Sequence, residues 1–257
     1  MTMGVNLDGM AQDDVSPIEA VAALSDDLRR RMYDFIRRSG RPVTRDEAAQ
    51  SVGISRKLAA FHLDKLVDVG LLSAGYAQPA GLRRVGRAPK VYEPTDLQVQ
   101  VSIPPREHGL LADILLQAVR AQSPAESARD AALRVAAERG RDLGRAERDQ
   151  LKPGRLGAER ALTCAGQLLE RHGFEPERAT STLMRLQNCP FHPMAARDPG
   201  LVCAINQAFL AGVLDGLGAT TLDATLAPRP GACCVELGTA GPQPAEHPGG
   251  AQESSTA

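Results

Sequence analysis

The sequence predicts an α+β chain in two parts. An N-terminal domain of short helices is closed by a β-hairpin, and a C-terminal α+β domain packs helices on a small antiparallel sheet. Three observations carry that prediction. Charge is divided unevenly over the 257 residues: 28–92 hold 14 Lys and Arg against 5 Asp and Glu, while the remainder holds 16 against 26. A basic module therefore precedes an acidic one, although the net charge is only −1. Capping residues and glycines cut the basic part into short amphipathic helices. Near the C-terminus, alternation over 221–226, a turn at Pro228 to Gly231 and a return over 232–237 give the clearest hairpin signal.

In order along the chain, residues 1–14 lack periodicity and read as a tail, 15–98 as the first domain and 104–238 as the second. Residues 239–257 are rich in Gly, Pro, Ser, Ala and Gln and read as disordered. Ser25 is expected to cap a helix carrying Leu28, Met32, Phe35 and Ile36, ended by Gly40. Thr44-Arg45-Asp46-Glu47 is a capping box; its helix carries Ala48, Ala49 and Val52 and stops at Gly53. Ser55 caps a third helix with Leu58, Ala59, Leu63, Leu66 and Val67 on one side, closed by Gly70. Strands over 71–78 and 91–94 flank a Gly/Arg-rich turn.

That order is a winged helix-turn-helix. The apolar positions point inward, which leaves Ser55, Arg56, Lys57, Ala60, Phe61 and His62 for the face that would enter a major groove. Arg83, Arg84, Arg87 and Lys90 supply the wing with cations and no acid, a pattern that calls for an anionic partner, double-stranded DNA.

In the second domain, Leu110, Leu111, Ile114, Leu115 and Val119 mark an amphipathic helix; 106–120 is expected to pair with its copy in a homodimer. Ser123-Pro124-Ala125-Glu126 reads as the start of the next helix, and 157–171 as a third, ended by Gly173. A strand is expected over 179–186. Asp198-Pro199 then opens a helix burying Leu201, Val202, Ile205, Phe209, Val213 and Leu217, and Leu222, Ala224 and Leu226 face inward in the final hairpin. Apolar runs such as 110–119 are too short to span a membrane, and the N-terminus lacks a basic signal-peptide region, so a cytoplasmic protein without a membrane partner is expected.

The cysteines are Cys164, Cys189, Cys203, Cys233 and Cys234, an odd number that does not suggest a disulfide framework. Asn188-Cys189-Pro190-Phe191-His192 sets a thiol and an imidazole at a chelating spacing, and Cys203 follows near a helix start. Soft sulfur with one imidazole suits zinc or an iron–sulfur cluster better than magnesium or calcium. Candidate ligands are Cys189, His192, Cys203 and Cys233. Strand parity selects Cys233 if the site lies on the core side and Cys234 if it lies at the edge. Cys164 reads as a buried structural thiol. A Cys189–His192 catalytic pair lacks an orienting third group and an oxyanion site, and no Walker, Rossmann or HExxH pattern occurs, so an enzyme is not expected.

The segments LSDDLRRRMYDFI, VTRDEAAQSVGISRKLAAFHLDKLVDVGLL and RRVGRAPKVYEPT resemble the arsenic-repressor-type (ArsR-like) winged-helix regulators. The resemblance implies a dimer reading a near-palindromic operator. It makes Arg56 and Lys57 early recognition-helix contacts, with Arg83, Arg84, Arg87 and Lys90 in the wing. NCPFH, LVC and PGACCVEL, within 178–237, resemble the subgroup that includes the SufR-like repressors of iron–sulfur cluster assembly genes. That implies an iron–sulfur cluster on Cys189, Cys203 and Cys233, with His192 or an external group in the fourth place. Zinc, unmetallated thiols with a buried or redox role, and an organic ligand in an apolar pocket are the alternatives.

Overall fold

Two units follow one another along the chain, Met1–Val101 and Ser102–Ala257. The computed structural model describes residues 16–77 and 88–239. The N-terminal tail, the residues from 240 onward and the wing arginines Arg83, Arg84 and Arg87 lie outside the described residues.

The first unit begins with a helix that the sequence pattern does not announce, α1 (Pro17–Ala23), which buries only Ala20 and so has little periodicity to read. Ser25 does not cap the next helix. Its hydroxyl donates to Ala22 O at 2.7 Å and closes α1. Asp26 takes the capping role for α2 (Asp27–Ser39), accepting from Arg29 N at 2.9 Å. A carboxylate there also meets the positive end of the helix.

After the short β1 (Val43–Thr44), the capping box opens α3 (Arg45–Val52). Glu47 N donates to the Thr44 hydroxyl at 3.3 Å, and Thr44 N donates to Glu47 Oε2 at 2.8 Å. Gly53, at φ +71°, turns the chain where an L side chain would be strained. Ser55 then accepts from Leu58 N at 3.3 Å and starts α4 (Arg56–Asp68). β2 (Leu72–Tyr76) and β3 (Lys90–Pro94) complete an antiparallel sheet of order β1-β3-β2. Tyr92, fully buried, lies opposite Val43 on one side and Ala74 on the other. Met32, Ile36, Ala48, Ala59, Leu63 and Leu66 fill the core beneath it.

In the second unit α5 (His108–Ala121) is followed by a turn, and α6 (Ala128–Leu151) starts later than expected. Ser127, accepting from Asp130 N at 3.1 Å, is its cap. Ser123 instead receives a turn bond from Glu126 N at 3.1 Å, and the Glu126 carboxylate holds Arg134 at 3.0 Å. Ser127-x-x-Asp130 offers the same signature immediately before the apolar run, so it wins the cap. After α7 (Ala158–Glu170) comes a hairpin, β4 (Pro176–Thr180) and β5 (Leu183–Leu186), where a single strand was expected. The short α8 (Met194–Arg197) precedes α9 (Pro199–Leu217), capped by Asp198, which accepts from Leu201 N at 3.0 Å.

β6 (Leu222–Leu226) and β7 (Val235–Thr239) complete a four-stranded antiparallel sheet of order β4-β5-β7-β6. Leu222 and Ala224 point inward as expected, whereas Leu226, at the strand end, is 47% exposed. Cys233 and Cys234 precede β7, so strand parity does not separate them.

α9 is long and apolar enough to cross a membrane by length and composition, unlike the shorter runs that the sequence brings forward. Within this unit, however, 61% of that stretch is buried, as in the core helix of a folded domain. It packs on α6 through glycines. A Cβ on Gly140 would stand 2.9 Å from the Phe209 carbonyl carbon, and one on Gly212 would stand 2.9 Å from that of Ala137. Ile205, Phe209, Leu210, Leu162, Leu168 and Leu237 lie in the surrounding core.

Candidate functional site

α4 separates its faces by the 3.6-residue period. Ala59, Leu63 and Leu66 are buried, while Arg56, Lys57 and Phe61 are exposed and Ala60 is half-buried beside them. Leu58 departs from the expected buried side and is 41% exposed. Ser55 spends its hydroxyl on the cap.

His62 departs further. Its ring is buried, its Nδ1 lies 3.9 Å from Asp26 Oδ1, and its edge meets the Phe61 ring at a 5.5 Å centroid distance. Its place between Ala59, Leu63 and Leu66 on the helix surface turns it inward, so it does not join the outward face. Arg56 Nε reaches Asp46 at 3.1 Å, across the turn between α3 and α4. Lys90 is occupied as well. Its ammonium lies 3.1 Å from Asp64 and 5.2 Å above the Tyr92 ring, and the hydrogen bond to Asp64 holds its pKa above the usual lysine value. Lys90 thus fastens β3 to α4. Sequence reading did not find these acidic partners, because Asp46 and Asp64 lie far from Arg56 and Lys90 along the chain.

A family model described as a helix-turn-helix domain matches residues 24–73. The first unit contains a helix-turn-helix domain. Its matched span runs from the end of α1 into β2, and α4 is its second, outward-presenting helix. No curated protein matches the chain.

Beyond the helix-turn-helix domain, the second unit gathers four sulfurs from three segments. Cys189 follows β5 and is half-buried, Cys203 lies half-buried on α9, and Cys233 and Cys234 are buried before β7. The thiols lie near enough to influence one another, Cys189 with Cys233, Cys233 with Cys234, and Cys234 with Cys203. Cys233 N donates to Leu186 O at 2.9 Å and Cys234 O accepts from Ala227 N at 2.8 Å, which pins the pair between β5 and the end of β6.

A buried donor reaches one of these sulfurs directly, while the His192 amide donates to the Cys189 carbonyl at 3.1 Å. The buried side chain of Asn206 donates to Cys233 Sγ at 3.1 Å. The neighbouring Cys233 thiol, followed by burial, holds the Cys189 thiol far above its ordinary pKa, and burial raises Cys203. Cys233 is pushed up to about 11, because Cys234 and burial outweigh the lowering effect of Cys189. Cys164 packs against the core from α7.

Two sequence assignments change here. Cys234 joins the group, since the irregular approach to β7 lets neighbouring thiols serve one site. His192 does not: its side chain is exposed, and its carbonyl pairs with His108 Nε2 at 3.0 Å. Sulfur donors suit a soft cation or an iron–sulfur cluster. Among the described residues, no three His, Cys, Asp or Glu side chains are arranged to hold one ion.

Proposed function

We propose that this protein is a cytoplasmic, homodimeric DNA-binding transcription regulator whose second unit senses a signal through the thiols of Cys189, Cys203, Cys233 and Cys234. The observation that carries the DNA-binding part is the face of α4. A capped helix end presents Arg56, Lys57 and Phe61 outward while Ala59, Leu63 and Leu66 hold it to the core. Such a face meets phosphates and base edges in a major groove. Arg83, Arg84 and Arg87 would add wing contacts to the same duplex. The exposed apolar positions Ala112, Leu115, Leu116 and Val119 recur at helical spacing on α5 and favour pairing with a second copy. Double-stranded DNA selected from a random pool, then titrated across salt, tests the DNA-binding part. Retained duplexes and a steep fall of affinity with salt support it, and no enrichment over the random pool defeats it.

For the sensing part, an iron–sulfur cluster is the proposed occupant, held by Cys189, Cys203 and Cys233 with Cys234 in the place first considered for His192. What supports this is the donor chemistry: four sulfurs in one unit, with the buried Asn206 side-chain amide directed at one of them. Bound there, a cluster would supply a redox- and oxygen-sensitive charge next to Asn206. Anaerobic purification with iron, zinc and acid-labile sulfide measured per chain tests it. Stoichiometric iron and sulfide, lost in Cys234→Ser and kept in His192→Ala, support the assignment. Zinc alone makes the site a thiolate–zinc centre, and a metal-free chain returns it to thiol chemistry.

A further inference from the structure

The loop that carries Cys189 is fastened, along its whole length, to the first residues of the second unit. Asn188 is buried and uses its full amide: Nδ2 donates to Pro105 O at 3.0 Å and to Gly173 O at 2.6 Å, and Oδ1 accepts from Arg106. The same Arg106 guanidinium donates to Cys189 O at 3.1 Å. Glu107 N donates to Pro190 O at 2.9 Å, and His108 Nε2 pairs with His192 O at 3.0 Å. Residues 105–108 and 188–192 are thus joined rung by rung, although more than eighty positions separate them in sequence. On one side, this ladder continues into α5, whose first turn is anchored by Leu111 N donating to Glu107 O at 3.3 Å. On the other, the His192 amide donates to the Cys189 carbonyl at 3.1 Å, so the thiol-bearing residue is itself held in the same loop. Towards the N-terminus, residue 105 lies four positions from the end of the helix-turn-helix unit at Val101.

We propose that this ladder is the transmission element of the thiol site, with Arg106 and Asn188 as its positioning residues. Cys189 is itself part of the loop, so a change at its sulfur acts on the backbone that carries the carbonyls of Cys189, Pro190 and His192. Those carbonyls hold Arg106, Glu107 and His108, so a shift of the loop reaches the start of α5 and the chain leading to the DNA-reading unit without crossing the core. The inference rests on the sensing role proposed for the thiols. It does not depend on which ligand or oxidant they meet.

A double-mutant cycle in the full-length protein tests it, read by hydrogen–deuterium exchange at the amides of Glu107 and Leu111. Cys189→Ser and the bulkier Cys189→Met perturb the sulfur, Arg106→Met removes the rungs to Asn188 and Cys189 without cutting chain length, and Cys164→Ser is the control. Each Cys189 or Arg106 change should speed exchange at Glu107 by about tenfold, and the pair should do little more than either alone, the mark of one coupled unit. Cys164→Ser should leave both amides unchanged. Exchange within about twofold of the parent in both Cys189 variants, or additive effects of Cys189 and Arg106 changes, would overturn the proposal. The affinity of these variants for a selected duplex separates the two readings. Coupled exchange with unchanged DNA affinity keeps the ladder and removes the sensing role, whereas altered affinity without coupled exchange does the reverse.

Discussion

The side-chain amide of Asn206 donates to the Cys233 sulfur at 3.1 Å, and both residues are sealed from solvent, with Asn206 at 0% exposure. The arrangement places a polar residue on the otherwise apolar buried face of α9 and leaves Asn206 Oδ1 without a hydrogen-bond partner. A buried carbonyl left unpaired is costly, so the amide is retained at a price in stability. Asn206→Leu should therefore change stability by no more than about 1 kcal/mol, since it removes an orphaned acceptor together with a weak donor. It should also move the labelling of Cys233 by an alkylating reagent to higher pH, because the thiolate loses an N–H that favours it. Peptide-resolved mass spectrometry across the alkaline range reads that shift. An unchanged profile would mean that the amide does not tune the sulfur.

The α6–α9 interface sets a second expectation. A methyl group on Gly140 would meet the backbone of Phe209 and Val213, with Val213 N at 2.9 Å, so the helices must separate to admit it. Gly140→Ala and Gly212→Ala should each destabilise the second unit by about 2–3 kcal/mol. Gly109→Ala on α5, with nothing within 4 Å, should be neutral or stabilise by up to about 1 kcal/mol. Chemical denaturation of the full chain compares the three.

The capping box predicts a pH dependence with a definite sign. Glu47 is held at a pKa of about 2, well below its ordinary 4.5, first by the hydrogen bond from Arg41 and then by the Thr44 amide and hydroxyl. A depressed carboxylate contributes stability that is complete above its ordinary pKa and is lost as pH falls through the folded value. Glu47→Gln should weaken protection of the α3 amides by no more than about 1 kcal/mol at neutral pH. An amide oxygen can still accept from Thr44 N, and only the charge facing Arg41 and the helix N-terminus is lost. The gap between variant and parent should close between pH 4.5 and about 2. Amide exchange across that range checks it.

On the helix-turn-helix domain, exposed and buried positions of α4 should respond differently. Lys57→Ala should weaken binding to a selected duplex and lower the slope of log affinity against log salt by about one, as expected for one lost phosphate contact. Phe61→Ala, at a residue 57% exposed, should reduce affinity while leaving the melting temperature unchanged. His62→Ala should instead lower stability, because it empties a buried position beside Asp26. Equal loss of affinity and stability at all three would mean that α4 acts only as scaffold.

Local signals in the chain were enough to mark most of the helix-turn-helix domain. Thr44 with Glu47, Gly53 and Ser55 act within four residues of themselves, so the capping box, the turn and the start of α4 need no tertiary information. The apolar spacing of Ala59, Leu63 and Leu66 likewise determines which face of α4 is buried. Where two local signals compete the sequence is ambiguous, and packing chose Asp26 over Ser25 and Ser127 over Ser123. The thiol site belongs to the other class. Cys189 and Cys203 stand out by type and spacing. Whether His192 or Cys234 completes the group depends on a loop held by Arg106 and Asn188 and on two residues that have not yet entered β7. Those contacts join segments more than eighty positions apart, and the sequence carries no period that long. The chain alone therefore settled most of the helices, the capping box and the basic character of α4. Only the tertiary structure, by bringing distant backbone groups within hydrogen-bonding distance, decided which sulfurs meet and what they are tied to.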